Sequence, residues 1–170
     1  FENVIIATGA SPIQLPNIKP DDDRIMNSAD SLNLKDIPGK MLVIGGGYIG
    51  LEMATIYRAL NTEVSIVEMT DDFMPGMDKD LISAYKKANK TAFKDIFFET
   101  KVTNISKKGE KLKVDFEEKE GKKFSKQYDK ILVSIGQKPN SKNLGLNNTS
   151  VELTDKGFIK PTTKAGWPPK

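Results

Sequence analysis

Three glycines between residues 45 and 50 give this chain its clearest chemical signal. An apolar run at residues 41 to 44 leads into Gly45-x-Gly47-x-x-Gly50 and then into a helical pattern. Glycine lets the chain turn sharply out of a buried strand at Gly45, approach linked phosphates at Gly47 and pack a helix against a sheet at Gly50. A helix that starts near Tyr48 points unpaired N–H groups and its positive dipole end at a pyrophosphate. The spacing predicts a dinucleotide-binding turn.

The residues after the glycines support this interpretation. Apolar side chains recur at helical spacing, which predicts one buried stripe formed by Ile49, Met53, Ile56 and Leu60. Ala54 has a small side chain, which lets the helix lie close to the sheet. Asn61 suits a left-handed backbone conformation at the end of the helix. The alternative is a mononucleotide-binding or purely structural βαβ turn.

Glu68 ends the next apolar run, about 20 residues beyond the glycines, where a ribose-binding carboxylate belongs. A charge-assisted hydrogen bond to a ribose 2′-hydroxyl contributes about 1.5–3 kcal/mol, whereas a 2′-phosphate would be repelled. No arginine follows in residues 69 to 72 to neutralise that phosphate. We therefore expect NAD(H) to bind at least about tenfold more tightly than NADP(H). The alternative for Glu68 is a solvated glutamate at a strand end.

The periodicity of residues 41 to 99 predicts alternating strands and helices. We expect strands at 41 to 45 and 64 to 68 around a helix at 48 to 60. Asp78 can cap a second helix, whose apolar positions are Leu81, Ile82, Tyr85, Ala88 and Ala92. A short strand at 96 to 99 completes a βαβαβ unit, one half of a dinucleotide-binding fold.

From residue 100 the period changes to that of strands. Residues 100 to 106, 112 to 117 and 123 to 128 predict a three-stranded antiparallel meander, with Gly109 and Gly121 at its turns. Leu112, Val114 and Phe116 should share one face. The apolar run at 131 to 135 returns to the interior of the parallel sheet, and residues 137 to 140 leave it as a loop. The predicted fold is α/β, a Rossmann-like parallel sheet with an antiparallel meander as its crossover.

Composition excludes several kinds of protein. The 170 residues favour one principal domain, and 38% hydrophobic with 29% charged residues is ordinary for a globular protein. With no membrane span and no secretory signal, we expect a cytoplasmic protein, or a mitochondrial-matrix one in a eukaryote. A net charge of +3 gives no argument for nucleic acid, and the lysines of residues 107 to 130 are interpreted as a solvated edge. Without cysteine or histidine, any acid-base or thiol chemistry must lie elsewhere.

The first forty residues suggest part of a larger protein. The chain begins at Phe1 in an apolar, β-branched run that glycine ends at position 9, which predicts a buried strand. Prolines punctuate residues 11 to 40, which we interpret as a linker with one helical turn near residues 28 to 34.

The full set of motifs resembles the pyridine-nucleotide-disulfide oxidoreductase family. The order is a strand ending in Ala-Thr-Gly at residues 7 to 9, then the glycine turn, then Val67-Glu68-Met69, a meander, and Ile135-Gly136-x-x-Pro139-Asn140. Glu68-Met69 and the segment from Pro75 to Asp80 are most similar to the dihydrolipoamide dehydrogenase subfamily. The resemblance runs from Phe1 to about Thr163.

The resemblance implies roles for individual residues. It assigns the NAD pyrophosphate to residues 45 to 50, namely Gly45, Gly46, Gly47, Tyr48, Ile49 and Gly50. It places Glu68 at the adenosine ribose, Val102 beside the adenine, and Ser134 and Gly136 along the cofactor cleft. Glu52 matches a glutamate near the nicotinamide and flavin, although it also suits a helix surface. Thr8 and Gly9 match part of an FAD site.

The resemblance also implies a division of the chain. Residues 1–10 would be a residual strand of an FAD domain, 11–40 a linker, 41–140 the NAD-binding domain, 141–163 a return segment toward the FAD domain, and 164–170 a tail of unclear origin. Gln137 stands where the family often has arginine. Family members also possess an FAD fingerprint, a Cys-x-x-x-x-Cys pair, a dimerisation domain and a His-Glu pair, none of which occurs in this sequence.

The function implied is therefore that of an NAD(H)-binding domain. The parent enzyme would oxidise protein-bound dihydrolipoamide through a disulfide and FAD and pass hydride to NAD⁺. Its partners would be NAD(H), FAD, lipoylated components of a 2-oxo acid dehydrogenase complex and a second subunit of a homodimer, with no nucleic acid and no membrane. We expect no catalysis from this chain alone and no metal site.

Three alternatives stay open. The domain could belong to another flavoprotein disulfide reductase or to an NADH oxidase. It could be a self-sufficient dehydrogenase, although the Tyr-x-x-x-Lys pair of short-chain dehydrogenases is absent. It could also be a non-catalytic module that keeps the fold.

Overall fold

A computed structural model describes residues 4–16, 22–33 and 35–161. Within these residues the α-helices are α1 (Ser28–Ser31), α2 (Tyr48–Ala59) and α3 (Lys79–Ala88), and a 3₁₀ turn spans Leu146–Asn148. The strands are β1 (Ala10–Pro12), β2 (Ile25–Met26), β3 (Lys40–Ile44), β4 (Glu63–Val67), β5 (Asp95–Phe97), β6 (Thr100–Lys108), β7 (Lys111–Glu118), β8 (Lys123–Tyr128), β9 (Lys130–Val133) and β10 (Gln137–Pro139). The chain divides into two compact units, Gln14–Gly136 and a smaller one formed by Phe1–Ile13 with Gln137–Lys170.

The larger unit is built on a five-stranded parallel sheet. Its strand order is β2-β9-β3-β4-β5, so β3 lies at the centre between β9 and β4. Alternate residues of β3 enter different cores: Met41 and Val43 pack with α2, whereas Leu42 and Ile44 pack with the meander strands. Because both faces are covered, the central strands are almost uninterrupted apolar runs. The predicted α/β fold with a meander crossover is confirmed.

Helix α2 covers one face of this sheet. Its buried positions are Gly50, Leu51, Met53, Ala54 and Tyr57. The predicted stripe was wrong in part, since Leu60 is 39% exposed and Ile49 and Ile56 are only half-buried. The two small residues, Gly50 and Ala54, let the helix axis approach the sheet, so the face centred on them is the one that packs. Asn61 adopts the predicted left-handed conformation, with φ of 67°.

The meander β6-β7-β8 covers the other face. Leu112, Val114 and Phe116 are all buried, as their alternation predicts. Phe116 stacks on Phe124 with ring centroids 4.8 Å apart. Gly109 and Gly121 have positive φ at the two hairpin turns, and β6 contains an irregularity between Val102 and Asn104.

The segment predicted as a linker is partly structural. Ile25 and Met26 form β2, which pairs in parallel with Ile131 and Leu132 of β9 at the edge of the large sheet. A two-residue strand is too short to show a period in the sequence. The helical turn is present as α1, with Asn27 and Asp30 forming a reciprocal capping box; position 34, where the predicted turn ended, lies outside the described residues.

Other predicted boundaries also shift. Helix α3 ends at Ala88, so Ala92 lies beyond it, and Leu81 is 55% exposed. Asp78 occupies the N-cap position of α3 but makes no side-chain capping hydrogen bond. Strand β9 ends at Val133, because the chain turns at Ser134 to pass Gly45.

The smaller unit brings two distant segments together. Residues 137 to 139, predicted as a loop, form β10 and pair antiparallel with β1. The larger compact unit runs from Gln14 to Gly136, whereas the sequence analysis set the bounds of the NAD-binding domain at residues 41 and 140. Leu153 and Ile159 form an isolated antiparallel bridge in the segment predicted to return toward an FAD domain.

The strand predicted at the start of the chain is wrong for the residues described. Residues 4 to 9 belong to no strand, and Val4 and Ile5 are 74% and 92% exposed. A β-branched run needs a neighbouring strand to satisfy its backbone, and the described residues pair only positions 10 to 12 in this segment. Residues 164 to 170 lie outside the described residues. None of the described helices is long and apolar enough to cross a bilayer.

Tyr57 joins α2 to α1 through a buried hydrogen bond, its hydroxyl donating to the Ser31 carbonyl at 2.9 Å. Burial raises the pKa of this phenol. We predict that Tyr57→Phe lowers the free energy of unfolding by about 1–3 kcal/mol, because it leaves a buried acceptor unpaired. Urea unfolding followed by circular dichroism measures it. Tyr48→Phe is the matched control, since Tyr48 is 69% exposed; equal losses in both variants would contradict the prediction.

Candidate functional site

The glycine turn lies where three parallel strands end. It connects β3 to α2, and the Gly45 N–H donates to the Val67 carbonyl of β4 at 2.9 Å. On the other side the Ser134 N–H donates to the Ile44 carbonyl at 2.8 Å. The turn is thereby fixed at the carboxyl edge of the sheet, the edge where ligands bind in open α/β folds.

Two of the glycines are required by the chain's own packing. Gly45 has φ of 107°, and an added Cβ would overlap the Ser134 carbonyl oxygen. A Cβ on Gly50 would overlap the Gly45 carbonyl oxygen and lie 2.6 Å from the Ser134 hydroxyl. The turn and the close packing predicted for these positions are therefore present.

Gly47 has a different environment. Its φ is −74°, which any residue adopts, and a Cβ there meets nothing within 4 Å among the described residues. The protein itself therefore gives no steric reason for glycine at this position. An open surface above the start of α2 is what a closely approaching ligand requires.

The N-terminus of α2 presents unsatisfied donors to this surface. Gly47 is its N-cap residue, and in the described part of the chain no side chain caps it and no acidic residue lies in its first turn. The first N–H groups of such a helix attract anions. Tyr48 and Glu52 are exposed and Ile49 is half-buried on this first stretch of α2.

Glu68 lies against the glycine turn, as its position in the sequence predicts. Its Oε2 accepts from the Gly46 N–H at 2.7 Å, and its Oε1 accepts from the Thr70 N–H at 2.9 Å. A carboxylate has about four acceptor positions, so capacity remains for further donors such as hydroxyl groups. The side chain is half-buried and anchored at both oxygens, which gives it a fixed orientation.

A second carboxylate follows Glu68 in the same loop. Burial opposes ionisation of Asp72, but hydrogen bonds from Lys86 and from the Phe73 N–H lower the pKa of its carboxyl below the usual value. The Thr70 hydroxyl contacts both the Glu68 carboxylate and the Asp72 carbonyl. Residues 69 to 72 contain no positive charge of their own to offer a phosphate, and Lys86 of α3 forms an ion pair with Asp72 at 3.1 Å.

Phe73 and Met74 support the turn, and sequence reasoning did not identify them. The Met74 N–H donates to the Gly46 carbonyl at 2.9 Å. The Phe73 ring is 2% exposed, meets Phe98 edge-on at 4.8 Å, and would lie 2.9 Å from a Cβ on Gly46. No periodicity marks either residue; the central glycine of Gly45-Gly46-Gly47 was the available hint that something packs there.

The remaining predicted residues of the larger unit lie at the same edge or next to it. The Ser134 hydroxyl donates to the Ile44 carbonyl at 3.0 Å, and Gly136 is exposed with φ of 128°. The Thr100 N–H donates to the Glu68 carbonyl at 3.1 Å, which brings the start of β6 to Glu68. Val102, two residues further on, is half-buried against the meander core.

Thr8 and Gly9 belong to the smaller unit. The Thr8 carbonyl accepts from Asn140 Nδ2 at 3.1 Å, and the Gly9 carbonyl accepts from the Asn140 N–H at 3.1 Å. The Ser11 hydroxyl donates to Asn140 Oδ1 at 2.8 Å. Asn140 thus organises the turn after the Ala-Thr-Gly motif.

Comparison with known proteins decides the family. The family model described as pyridine nucleotide-disulphide oxidoreductase matches residues 1–165. The chain belongs to this family. Among curated relatives in the family, a dihydrolipoyl dehydrogenase of Vibrio cholerae is 43% identical over 160 residues, covering 94% of this chain and 34% of the relative. One from Haemophilus influenzae is 46% identical over 159 residues, covering 94% and 33%.

Solved structures agree with this assignment. The Cu(II) complex of RclA, a HOCl-induced flavoprotein disulfide reductase of Escherichia coli, has a TM-score of 0.76 at 25% identity, covering 91% of this chain and 34% of RclA. LpdA of Mycobacterium tuberculosis has a TM-score of 0.73 at 26% identity, covering 88% and 32%. The chain spans about one third of the length of the family members it matches.

The glycines predict a test that separates structural from ligand-related roles. Gly50→Ala should lower the free energy of unfolding by more than about 2 kcal/mol, because its Cβ has no space against backbone. Gly47→Ala should change it by less than about 1 kcal/mol, because the position is open and its φ is compatible. Urea unfolding of the two variants measures the difference, and similar losses in both would show that Gly47 also has a packing role.

Proposed function

We propose that the larger unit, Gln14–Gly136, binds NAD(H) at the carboxyl edge of its sheet. The observation that supports this best is the open position of Gly47, directly above the uncapped start of α2 and beside the anchored carboxylate of Glu68. The pyrophosphate would meet the N–H groups of α2, and Glu68 would accept from the adenosine ribose. Val102 would lie by the adenine, with Ser134 and Gly136 along the cleft and Glu52 toward the nicotinamide.

We also propose that this unit serves a dihydrolipoamide dehydrogenase. The support is the 43% and 46% identity to curated enzymes of that name over nearly the whole chain. NAD, when bound, supplies the hydride acceptor of such an enzyme, and the residues described above hold and orient it. In this proposal the parent enzyme also uses FAD, lipoylated partners from a 2-oxo acid dehydrogenase complex and a second subunit.

This chain by itself should not catalyse the reaction. Its 170 residues contain neither cysteine nor histidine, so it has no redox disulfide and no imidazole base. Thr8 and Gly9 are exposed and commit their carbonyls to Asn140, which fits a supporting segment of a flavin site but not a complete one. FAD binding would therefore need residues from elsewhere in the parent enzyme.

A second candidate is another flavoprotein disulfide reductase. The similarity of the backbone to that of RclA, with a TM-score of 0.76, supports this second candidate. The higher identity to the dihydrolipoyl dehydrogenases makes that enzyme the better proposal. The proposed nucleotide site of this chain is the same for either parent enzyme.

Titration of the purified chain with NADH, followed by calorimetry, tests the nucleotide site. We expect weak but saturable binding, at least about tenfold tighter for NADH than for NADPH, and its loss in Gly47→Val, whose side chain would occupy the phosphate position. Because the position is open, that variant should keep the wild-type unfolding transition. Equal binding of the two coenzymes would refute the specificity, and unchanged binding by the variant would refute the site.

Glu68→Gln tests the origin of the coenzyme preference. Removing the negative charge removes repulsion of a 2′-phosphate while keeping an acceptor, so we expect the preference for NADH to fall to less than about threefold. Glu152→Gln is the control, since Glu152 is an exposed glutamate of the smaller unit whose side chain is 74% exposed. An unchanged preference in Glu68→Gln would assign specificity to other residues.

A further inference from the structure

A cationic groove lies in the larger unit, at the sheet edge opposite the glycine turn. It has a volume of about 660 Å³ and is bordered by the starts of β3, β4 and β5 and by the meander. A volume of this size suits a small molecule. Six lysines line it: Lys40, Lys94, Lys108, Lys111, Lys113 and Lys126.

Positive charge exceeds negative charge in this groove. Glu63 is shared between Lys40, at 3.2 Å, and Lys94, at 3.8 Å. Each of the other three paired lysines has one carboxylate: Lys111 with Asp129, Lys113 with Asp115 and Lys126 with Asp95. In the part of the chain that the structure describes, Lys108 has no ion-pair partner. Six ammonium groups thus face four carboxylates.

The lysines are available to an incoming anion. The paired ones are 38–58% exposed, and ion pairs exposed to this degree contribute little to stability. Asp115 is the exception among the carboxylates, because hydrogen bonds from Lys113, Asn104 and Ser125 hold its pKa at about 2. An anion entering the groove can therefore recruit the other ammonium groups at small cost.

The rest of the lining selects for a polar ligand. Gln127 adds a hydrogen-bonding amide, whereas the Ser65 and Ser125 hydroxyls already donate to Asp95 and Asp115. The one aromatic residue of the lining, Tyr128, is 3% exposed. Its hydroxyl lies beside Ser65 without a hydrogen bond of good geometry among the described residues. Burial raises the pKa of Tyr128 to about 12, so it stays a neutral donor. A protein partner would need an apolar centre, which this groove lacks.

We propose that this groove binds a compact polyanion with two or more phosphate groups. Lysine acts as a point charge toward phosphate, whereas planar carboxylate recognition favours arginine, and no arginine lines the groove. The length of a five-residue strand, about 16 Å, separates it from the glycine turn. The sequence analysis interpreted the lysines of residues 107 to 130 as a solvated edge, and the proposal assigns four of them, Lys108, Lys111, Lys113 and Lys126, to a specific site.

Calorimetric titration of the 170-residue chain with tripolyphosphate at low salt tests the proposal. We expect saturable binding of tripolyphosphate and much weaker binding of orthophosphate. The affinity for tripolyphosphate should fall at least about tenfold in the double variant Lys94→Gln/Lys108→Gln, which removes the two lysines with the weakest ion pairing. Lys87→Gln/Lys90→Gln removes the same charge from exposed positions on and after α3 and should bind like the wild type. Lys108→Gln alone, on an exposed hairpin, gives a smaller loss if the double variant does not fold.

Gly47→Val distinguishes this site from the dinucleotide site. Tripolyphosphate binding should be unchanged in that variant, whether or not the chain binds NADH. Loss of binding in Gly47→Val would place the anion at the glycine turn and overturn the proposal. So would equal losses in the two double-lysine variants, equally tight binding of an oligoglutamate, or no wild-type binding at millimolar tripolyphosphate.

Discussion

The close approach of α2 to the end of the parallel sheet is the constraint on which the larger unit depends. At Gly50 the helix lies against the Gly45 carbonyl and the Ser134 hydroxyl with no room for a Cβ. This contact joins β3, β9 and α2 at one point. Further along the same helix, Met53, Ala54 and Tyr57 are buried in the core.

The same approach builds the candidate site. A helix anchored at Gly50 has its first N–H groups at the sheet edge, above the open Gly47. Gly46 is held from both of its polar groups: its N–H donates to Glu68 and its carbonyl accepts from Met74. The turn, the helix start and the carboxylate are therefore preorganised by contacts that exist without a ligand, which reduces the ordering cost of binding.

How much the sequence predicts depends on the range of the interaction involved. The glycine turn, the parallel strands, the meander and the position of Glu68 follow from local patterns of glycine and apolar residues, and all are present. The apolar stripe predicted for α2 was wrong at Leu60, which is exposed, whereas Gly50 and Ala54, which the sequence analysis placed against the sheet, are buried there. Strands β1, β2 and β10 were missed because pairing between remote segments has no local period.

The support from Phe73 illustrates the same limit within the site. A single aromatic residue after an acidic loop has no periodicity, and its role exists only once Tyr85 and Phe98 surround its ring. Glu68 could be predicted because the proposed ribose contact requires a carboxylate at a set distance from the glycines, whereas Phe73, which packs against Gly46, only has to fill a space. Residues selected for chemistry are therefore easier to identify from sequence than residues selected for shape.

The two edges of the parallel sheet also differ in charge. At the carboxyl edge, the Glu68 carboxylate lies beside the glycine turn at the positive end of α2, so N–H groups would attract an anion there and one carboxylate would repel it. At the amino edge, six lysines border the groove proposed to bind a polyanion, and their long side chains would accommodate phosphates in more than one position. Under the two proposals, one sheet would bind a dinucleotide through fixed N–H groups at one end and a polyanion through lysine side chains at the other.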